Sequence, residues 1–298
     1  MFFKKWMSYL SDDVPLTQIV MPGAHNAGTY GMMASACCQD GTLYDQIIHG
    51  VRHFCLRLDT TRKGIVLSHG ISKGDLFDNA MRDFARGMQE CPSEIFLLDI
   101  REYYPQKVGP FTLKFKADPK AVDAILAKYI DPAQNAYCDF SQIKDVTLGD
   151  MRTGGKRFIL INSNQEYAYS KDCNNILPWD KKTYGYKTDK FLREIPKIFD
   201  REHTDGVYWF QTQQTPNIGT EIGFVTPRRL NAAVTPHYPQ LMQTIADNPE
   251  YLRQANVIGG DFMTDGIKVP LILALNLKKG LVREECVEAF QRAIDSSN

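Results

Sequence analysis

Short, continuously apolar runs separated by helix-length amphipathic segments constrain the fold of this chain more than any other feature. The runs fall at residues 18–21, 53–59, 65–68, 95–101, 158–162, 207–213 and 257–261. Runs of this length without alternation read as strands buried on both faces. Between them, Phe77, Met81, Phe84 and Met88 recur at helical spacing, and Pro92 stops the pattern. Asp118-Pro119 reads as an N-cap followed by proline in the first turn, and Val122, Ile125, Leu126 and Tyr129 then share one face. Val282, Cys286, Phe290 and Ala293 mark a closing helix. Strand–helix alternation over 298 residues predicts an α/β fold, either a (β/α)8 barrel or a doubly wound sheet. No glycine fingerprint for a dinucleotide or a triphosphate follows any strand. No repeat or low-complexity linker interrupts the pattern. Segments 102–117 and 163–187 read as irregular rim loops, so residues 1–298 are expected to form one domain.

Charge is balanced, with 35 basic and 35 acidic residues. A neutral chain lacks the basic stripe that nucleic acid requires, so no nucleic-acid partner is expected. Cys37 and Cys38 are adjacent, the other cysteines are scattered, and no C-x-x-C pair occurs. Reduced, mostly buried thiols are expected, with no metal site and no cofactor. No run approaches the ~18 apolar residues that span a bilayer. The start, Met1-Phe2-Phe3-Lys4-Lys5, lacks the apolar core and cleavage site of an export signal, so none is expected there.

The ionisable residues collect at strand ends. His25 follows the first run, Arg57 and Asp59 end the second, His69 closes the third and Asp261 closes the last. In a parallel barrel the C-terminal strand ends meet on one face, and that face carries the chemistry. Two histidines, an arginine and a carboxylate suit phosphoryl transfer. One imidazole takes a proton from the attacking hydroxyl and the other gives one to the leaving oxygen. The guanidinium neutralises charge on the phosphoryl oxygens. The carboxylate fixes the tautomer of the base.

These residues sit in segments that resemble the phosphatidylinositol-specific phospholipase C family. The segments are Pro22-Gly-Ala-His-Asn-Ala-Gly-Thr29, Gly50-Val-Arg-His-Phe-Cys-Leu-Arg57, Val66-Leu-Ser-His-Gly70, Pro92-Ser-Glu-Ile-Phe-Leu-Leu-Asp99 and Val257-Ile-Gly-Gly-Asp261. Leu148-Gly-Asp-Met-Arg152, followed by Gly155-Lys156 and an apolar strand, resembles the continuation in the bacterial enzymes. The resemblance implies a TIM-type barrel, distorted and partly open. It implies attack of the inositol 2-hydroxyl on phosphorus, releasing diacylglycerol and a cyclic inositol phosphate. By position His25 resembles the general base, His69 the general acid, Arg57 the phosphate-binding arginine and Asp261 the partner of His25.

The chain departs from the bacterial pattern at two acids. Asn26 stands where those enzymes usually carry Asp, and so does Cys55. The eukaryotic members use an Asn after this histidine, together with acids, to hold calcium. Cys55 and Arg57 at the acid positions do not make an oxygen-rich calcium site, so a metal-independent form is expected. The missing Asp leaves His69 in need of a partner, for which Asp59 is a candidate. Asn26 and Asp59, with Asp189 and Phe191 of Asp189-Lys-Phe191 and Asn162 at the position of a bacterial arginine, make up the candidate substrate-binding set. Tyr208 and Trp209 read as core. The apolar loop Tyr30-Gly-Met-Met-Ala-Ser-Ala-Cys-Cys38 either packs under a neighbour or touches lipid. The expected partners are a phospholipid, inositol-containing by resemblance, and transiently a membrane surface. Two alternatives stay open: a phosphodiesterase for another glycerophosphodiester or lipid head group, and a binding module on a barrel that has lost its chemistry.

Overall fold

The computed structural model describes residues 2–101, 103–108, 110–163, 166–176, 188–194, 196–200, 206–215 and 225–297. Its strands, in chain order, are β1 (Met21–Ala24), β2 (His53–Thr61), β3 (Gly64–His69), β4 (Ser72–Leu76), β5 (Phe96–Arg101), β6 (Tyr103–Val108), β7 (Phe111–Phe115), β8 (Phe158–Ser163), β9 (Ser170–Lys171), β10 (Asn174–Ile176), β11 (Val207–Gln211) and β12 (Val257–Gly260). Eight strands of a 10-stranded sheet follow the path β10-β11-β12-β1-β2-β5-β8-β9, and β3 and β4 branch from it at β2. Every pairing along that path is parallel. Among the described residues no ladder joins β9 to β10, so the sheet curls into a barrel that is left open there. This is the distorted, partly open barrel that the sequence leads one to expect.

Period-two alternation sorts each strand into an outer apolar face and an inner face. On β2, Phe54, Leu56 and Leu58 are buried beneath the helices, and Phe54 meets Phe84 edge-on at 5.5 Å. Phe96 of β5 meets the same ring at 5.5 Å. Phe84 belongs to the Phe77–Glu90 helix, whose Phe77, Met81 and Met88 also face the core. The helix at Pro119–Ile130 starts as its sequence implies, with the Asp118 carboxylate accepting from the Lys120 amide.

Four expectations change. The run at 18–21 is not a strand: the Gln18 and Ile19 amides donate to the Pro15 and Leu16 carbonyls in a turn, and β1 begins at Met21. The run at 65–68 is a strand, but it is not parallel. The parallel ladder of β2 with β5 ends at Arg57–Arg101, and β2 then continues into an antiparallel hairpin with β3. Segment 102–117 is not irregular, because most of it forms the β6–β7 hairpin. Segment 163–187 includes the short strands β9 and β10, and its residues 164–165 and 177–187 lie outside the described residues. The thiols are free, with Cys38, Cys55 and Cys91 buried, Cys138 exposed and the rest half-buried.

Candidate active site

His25 and Asp261 are held side by side by neighbouring parallel strands. The register pairs Gly23 with Gly259 and Ala24 with Gly260, and the His25 amide continues the ladder by donating to the Gly260 carbonyl at 3.0 Å. Gly259 is required by its surroundings, since a Cβ there would lie 2.1 Å from Trp209 Nε1. Two residues beyond the glycine pair, His25 Nδ1 lies 2.7 Å from Asp261 Oδ1, with the side chains 13% and 4% exposed. With Nδ1–H donating to the carboxylate, Nε2 carries the lone pair, which is the form a general base needs.

The chain turns sharply after each of these groups. Asn26 (φ 46°) follows His25, Phe262 (φ 51°) follows Asp261, and Gly70 (φ 62°) follows His69. A bulky residue in the left-handed region is strained, and such strain persists where surrounding contacts over-determine it. Here the Phe262 amide donates to the Cys38 carbonyl at 2.7 Å. Gln39, fully buried, donates to both the His25 and the Gly260 carbonyls at 2.9 Å and accepts from the Met263 amide at 3.0 Å. Behind Asp261, the buried Lys268 ammonium donates to its carbonyl and to Asn231 Oδ1. Burial lowers the Lys268 pKa to about 8, against the pull of Asp261.

His69 reaches the same face by a different route. The antiparallel return of β3 past Leu58–Leu67 brings it back toward the barrel mouth. His69 Nδ1 donates to the Ala36 carbonyl at 2.8 Å, and its Nε2 lies 3.4 Å from Asn26 Nδ2. The backbone of the loop after β1 thus fixes the tautomer that Asp59 was expected to fix. Asp59 is turned elsewhere: it holds Lys73 at 2.5 Å and accepts from the Thr60 and Lys116 amides. Lys73 in turn donates to the Gly70 carbonyl, so Asp59 braces the hairpin turn rather than the substrate. Arg57 is half-buried on the inner face of β2, and its charge bears on His69, Cys38 and Cys55.

Burial lowers the His69 pKa from 6.5 to about 4; the Ala36 hydrogen bond opposes this, and the charges of Arg57 and His25 add to it. The depressed folded value fixes the sign of a stability effect. Between pH 6.5 and 4 the unfolded chain holds a proton on His69 that the folded protein refuses, so stability falls as pH drops through that window. Unfolding at pH 7 and at pH 4.5 should show His69→Gln losing about 2 kcal/mol less than the parent. An identical acid loss in both proteins would mean that the ring is not held unprotonated.

The remaining sequence candidates separate. Asn162 of β8 pairs in register with Ile100, on the face opposite to Asp99 and Arg101, and its amide donates to Ser170 Oγ at 2.8 Å. Alternation turns it away from the barrel interior. Asp189 is exposed in the first turn of the helix at Thr188–Glu194. Phe191 is in the same helix, and its side chain lies outside the described residues. Trp209 and Tyr208 are buried core residues, as expected. The loop after His25 divides: Met32, Ala36 and Cys38 pack inward, while Met33 is exposed.

Beneath the mouth lies a polar cluster that the motifs did not single out. His53 Nε2 lies 3.7 Å from Asp99 Oδ2, Arg101 Nε donates to the same oxygen at 2.7 Å, and the guanidinium sits 4.8 Å from the Trp209 ring. Burial would raise the Asp99 carboxyl, but Arg101 and His53 outweigh it and hold it below its ordinary value. Asp99 and Arg101 stand two residues apart in Phe96-Leu-Leu-Asp-Ile-Arg101. Charged residues at that spacing in an apolar strand are the signal that marks an inward polar face.

No family model matches the chain. Among solved structures it is similar to phosphatidylinositol-specific phospholipase C from Listeria monocytogenes, with 17% identity and a TM-score of 0.65, covering 92% of this chain and 98% of that one. It is similar also to a phosphatidylinositol-specific phospholipase C structure from Staphylococcus aureus, with 16% identity and a TM-score of 0.68, covering 92% and 97%. The chain therefore has the fold of the bacterial phosphatidylinositol-specific phospholipases C over nearly its whole length.

Proposed function

We propose that the protein is a metal-independent phosphodiesterase of the phosphatidylinositol-specific phospholipase C type, cleaving phosphatidylinositol or a related phospholipid by internal attack. The observation that carries this reading is the 2.7 Å His25–Asp261 pair opening onto the face that also holds His69 and Arg57. His25 Nε2 takes the proton of the inositol 2-hydroxyl as its oxygen attacks phosphorus, and Asp261 stabilises the imidazolium formed. Arg57 neutralises the phosphoryl oxygens. His69 protonates the departing diacylglycerol oxygen from Nε2. It is unprotonated in the empty site, and the negative charge of a bound phosphodiester favours its protonated form. The Ala36 carbonyl accepts from His69 Nδ1 in place of a carboxylate, and Asn26 Nδ2 stands 3.4 Å from Nε2.

Lipid contact fits the rim. Ile71, two residues past His69, is 68% exposed, and Met33, in the loop that carries Ala36, is 60% exposed. Apolar side chains at an active-site mouth suit a substrate drawn from a membrane surface. The test is release of diacylglycerol from phosphatidylinositol vesicles in excess chelator. Activity should persist, because Arg57 supplies the positive charge an ion would otherwise bring. Inactivity that calcium reverses would overturn metal independence, and inactivity under both conditions would overturn the substrate.

A further inference from the structure

We propose that His25, Cys38 and Asp261 form a binding site for a divalent cation of the zinc class, and that filling it switches the catalytic face off. The second half rests on the phosphodiesterase reading above; the first does not. Each residue presents one ligand atom, an imidazole nitrogen, a thiol sulfur and a carboxylate oxygen. All three lie within 4.8 Å of one another, and among the described residues no other such group converges. They come from the end of β1, the loop that follows it and the end of β12. That loop is fixed rather than loose. The Cys38 amide donates to Thr29 Oγ1 at 2.9 Å, the Cys38 carbonyl accepts from Phe262, and Gln39 ties the two strand ends together.

The donor set selects the metal. Thiolate and imidazole favour zinc and its neighbours over calcium or magnesium, which take oxygen ligands. Bonds of about 2.0–2.3 Å require tetrahedral ligand atoms roughly 3.3–3.8 Å apart. With all three atoms inside 4.8 Å, Cys38 must close by at most about 1.5 Å and the 2.7 Å His25–Asp261 contact must open by roughly 0.6–1.1 Å, both within reach of side-chain rotation. A thiolate and a carboxylate cancel the ionic charge, so the filled site is neutral in a buried setting. Access is from the side of His25, the most exposed of the three.

Binding is incompatible with the proposed base. The metal takes the thiol sulfur and releases its proton. It also takes His25 Nδ1, which faces Asp261, and the ring proton moves to Nε2. Nε2 then donates and no longer accepts, so the attacking hydroxyl has no base. The metal-free form is the active one.

The test is cobalt titration of chelator-treated protein, with cobalt standing in for zinc. One equivalent should produce the absorption of a cobalt–thiolate bond. Cys38→Ser and Cys38→Ala should both abolish it, whereas Cys37→Ser should keep it. Loss of a ligand should weaken zinc binding by at least about 100-fold. Zinc should inhibit phosphodiester cleavage over the range in which it binds, and each Cys38 variant, measured against its own metal-free rate, should resist it. Absence of the band, or a band unchanged by both Cys38 substitutions, overturns the site. A band without inhibition of an active enzyme overturns the switch. A metal-free protein that cleaves no phosphodiester overturns the phosphodiesterase reading, and the band still decides the site.

Discussion

His25→Ala and His69→Ala should each slow cleavage of phosphatidylinositol by about 10²–10⁴-fold, the usual worth of one positioned proton transfer. A substrate whose leaving group needs no proton should then separate them. A nitrophenolate departs unaided, so His69→Ala should recover most of its lost rate on a nitrophenyl inositol phosphate. His25→Ala should not recover, because the attacking hydroxyl still needs a base. The geometry motivates the asymmetry. His25 has a carboxylate behind it to stabilise the imidazolium it forms, whereas His69 has a neutral carbonyl and is held unprotonated with a pKa of about 4. The reversed pattern would exchange the roles, and a loss below about tenfold in both variants would remove the acid–base assignment altogether. The split compares two substrates on one variant, so a uniform loss of folded protein does not produce it.

Local pattern carried the α/β class, with a barrel and a doubly wound sheet both open, because a buried parallel strand has a short, continuous apolar signature that few other elements share. It also placed His25 and Asp261 at strand ends on one face, while their pairing was implied only by the family resemblance. What it did not carry depends on pairing partners that no local pattern encodes. The 65–68 run has the composition of a barrel strand, yet β3 is the return arm of a hairpin that begins where the β2 ladder with β5 stops. The support of His69 was sought among carboxylates and is a backbone carbonyl, which carries no sequence signal at all. Asn162 was placed by alignment with an arginine, but one residue of register decides its face, and alternation sends it outward. Gln39 and Lys268, which clamp the ends of β1 and β12, lie in unremarked loop and helix positions. Only the three-dimensional meeting of β1 with β12 gives them a task.

Two of the segments that carry the family resemblance, Gly50–Arg57 and Pro92–Asp99, also meet in a buried ion pair. Arg52 and Glu94 are both fully buried, with Arg52 Nη2 2.8 Å and Nε 2.9 Å from Glu94 Oε2. Arg52 also donates to the carbonyls of Ile47, Val51 and Phe3, and Glu94 also accepts from the Met7 amide and Ser93 Oγ. The pair therefore ties the N-terminal segment to the starts of β2 and β5, at the end of the barrel away from His25 and Asp261. Removing one member of such a pair costs about 3–5 kcal/mol, chiefly because the other charge stays buried alone. The two single substitutions should differ in their pH dependence. In Glu94→Gln the guanidinium cannot shed its proton, so the loss should be nearly constant across neutral pH. In Arg52→Met the carboxyl can take up a proton, and burial already raises its pKa in the parent. Its folded value then lies above the unfolded one, so the stability of Arg52→Met should be greatest at acid pH and fall as pH rises through the folded value. Denaturant unfolding of both variants from pH 5 to pH 8 checks the contrast. Parallel curves would show that Glu94 stays ionised without its arginine, held by the Met7 and Ser93 donors alone.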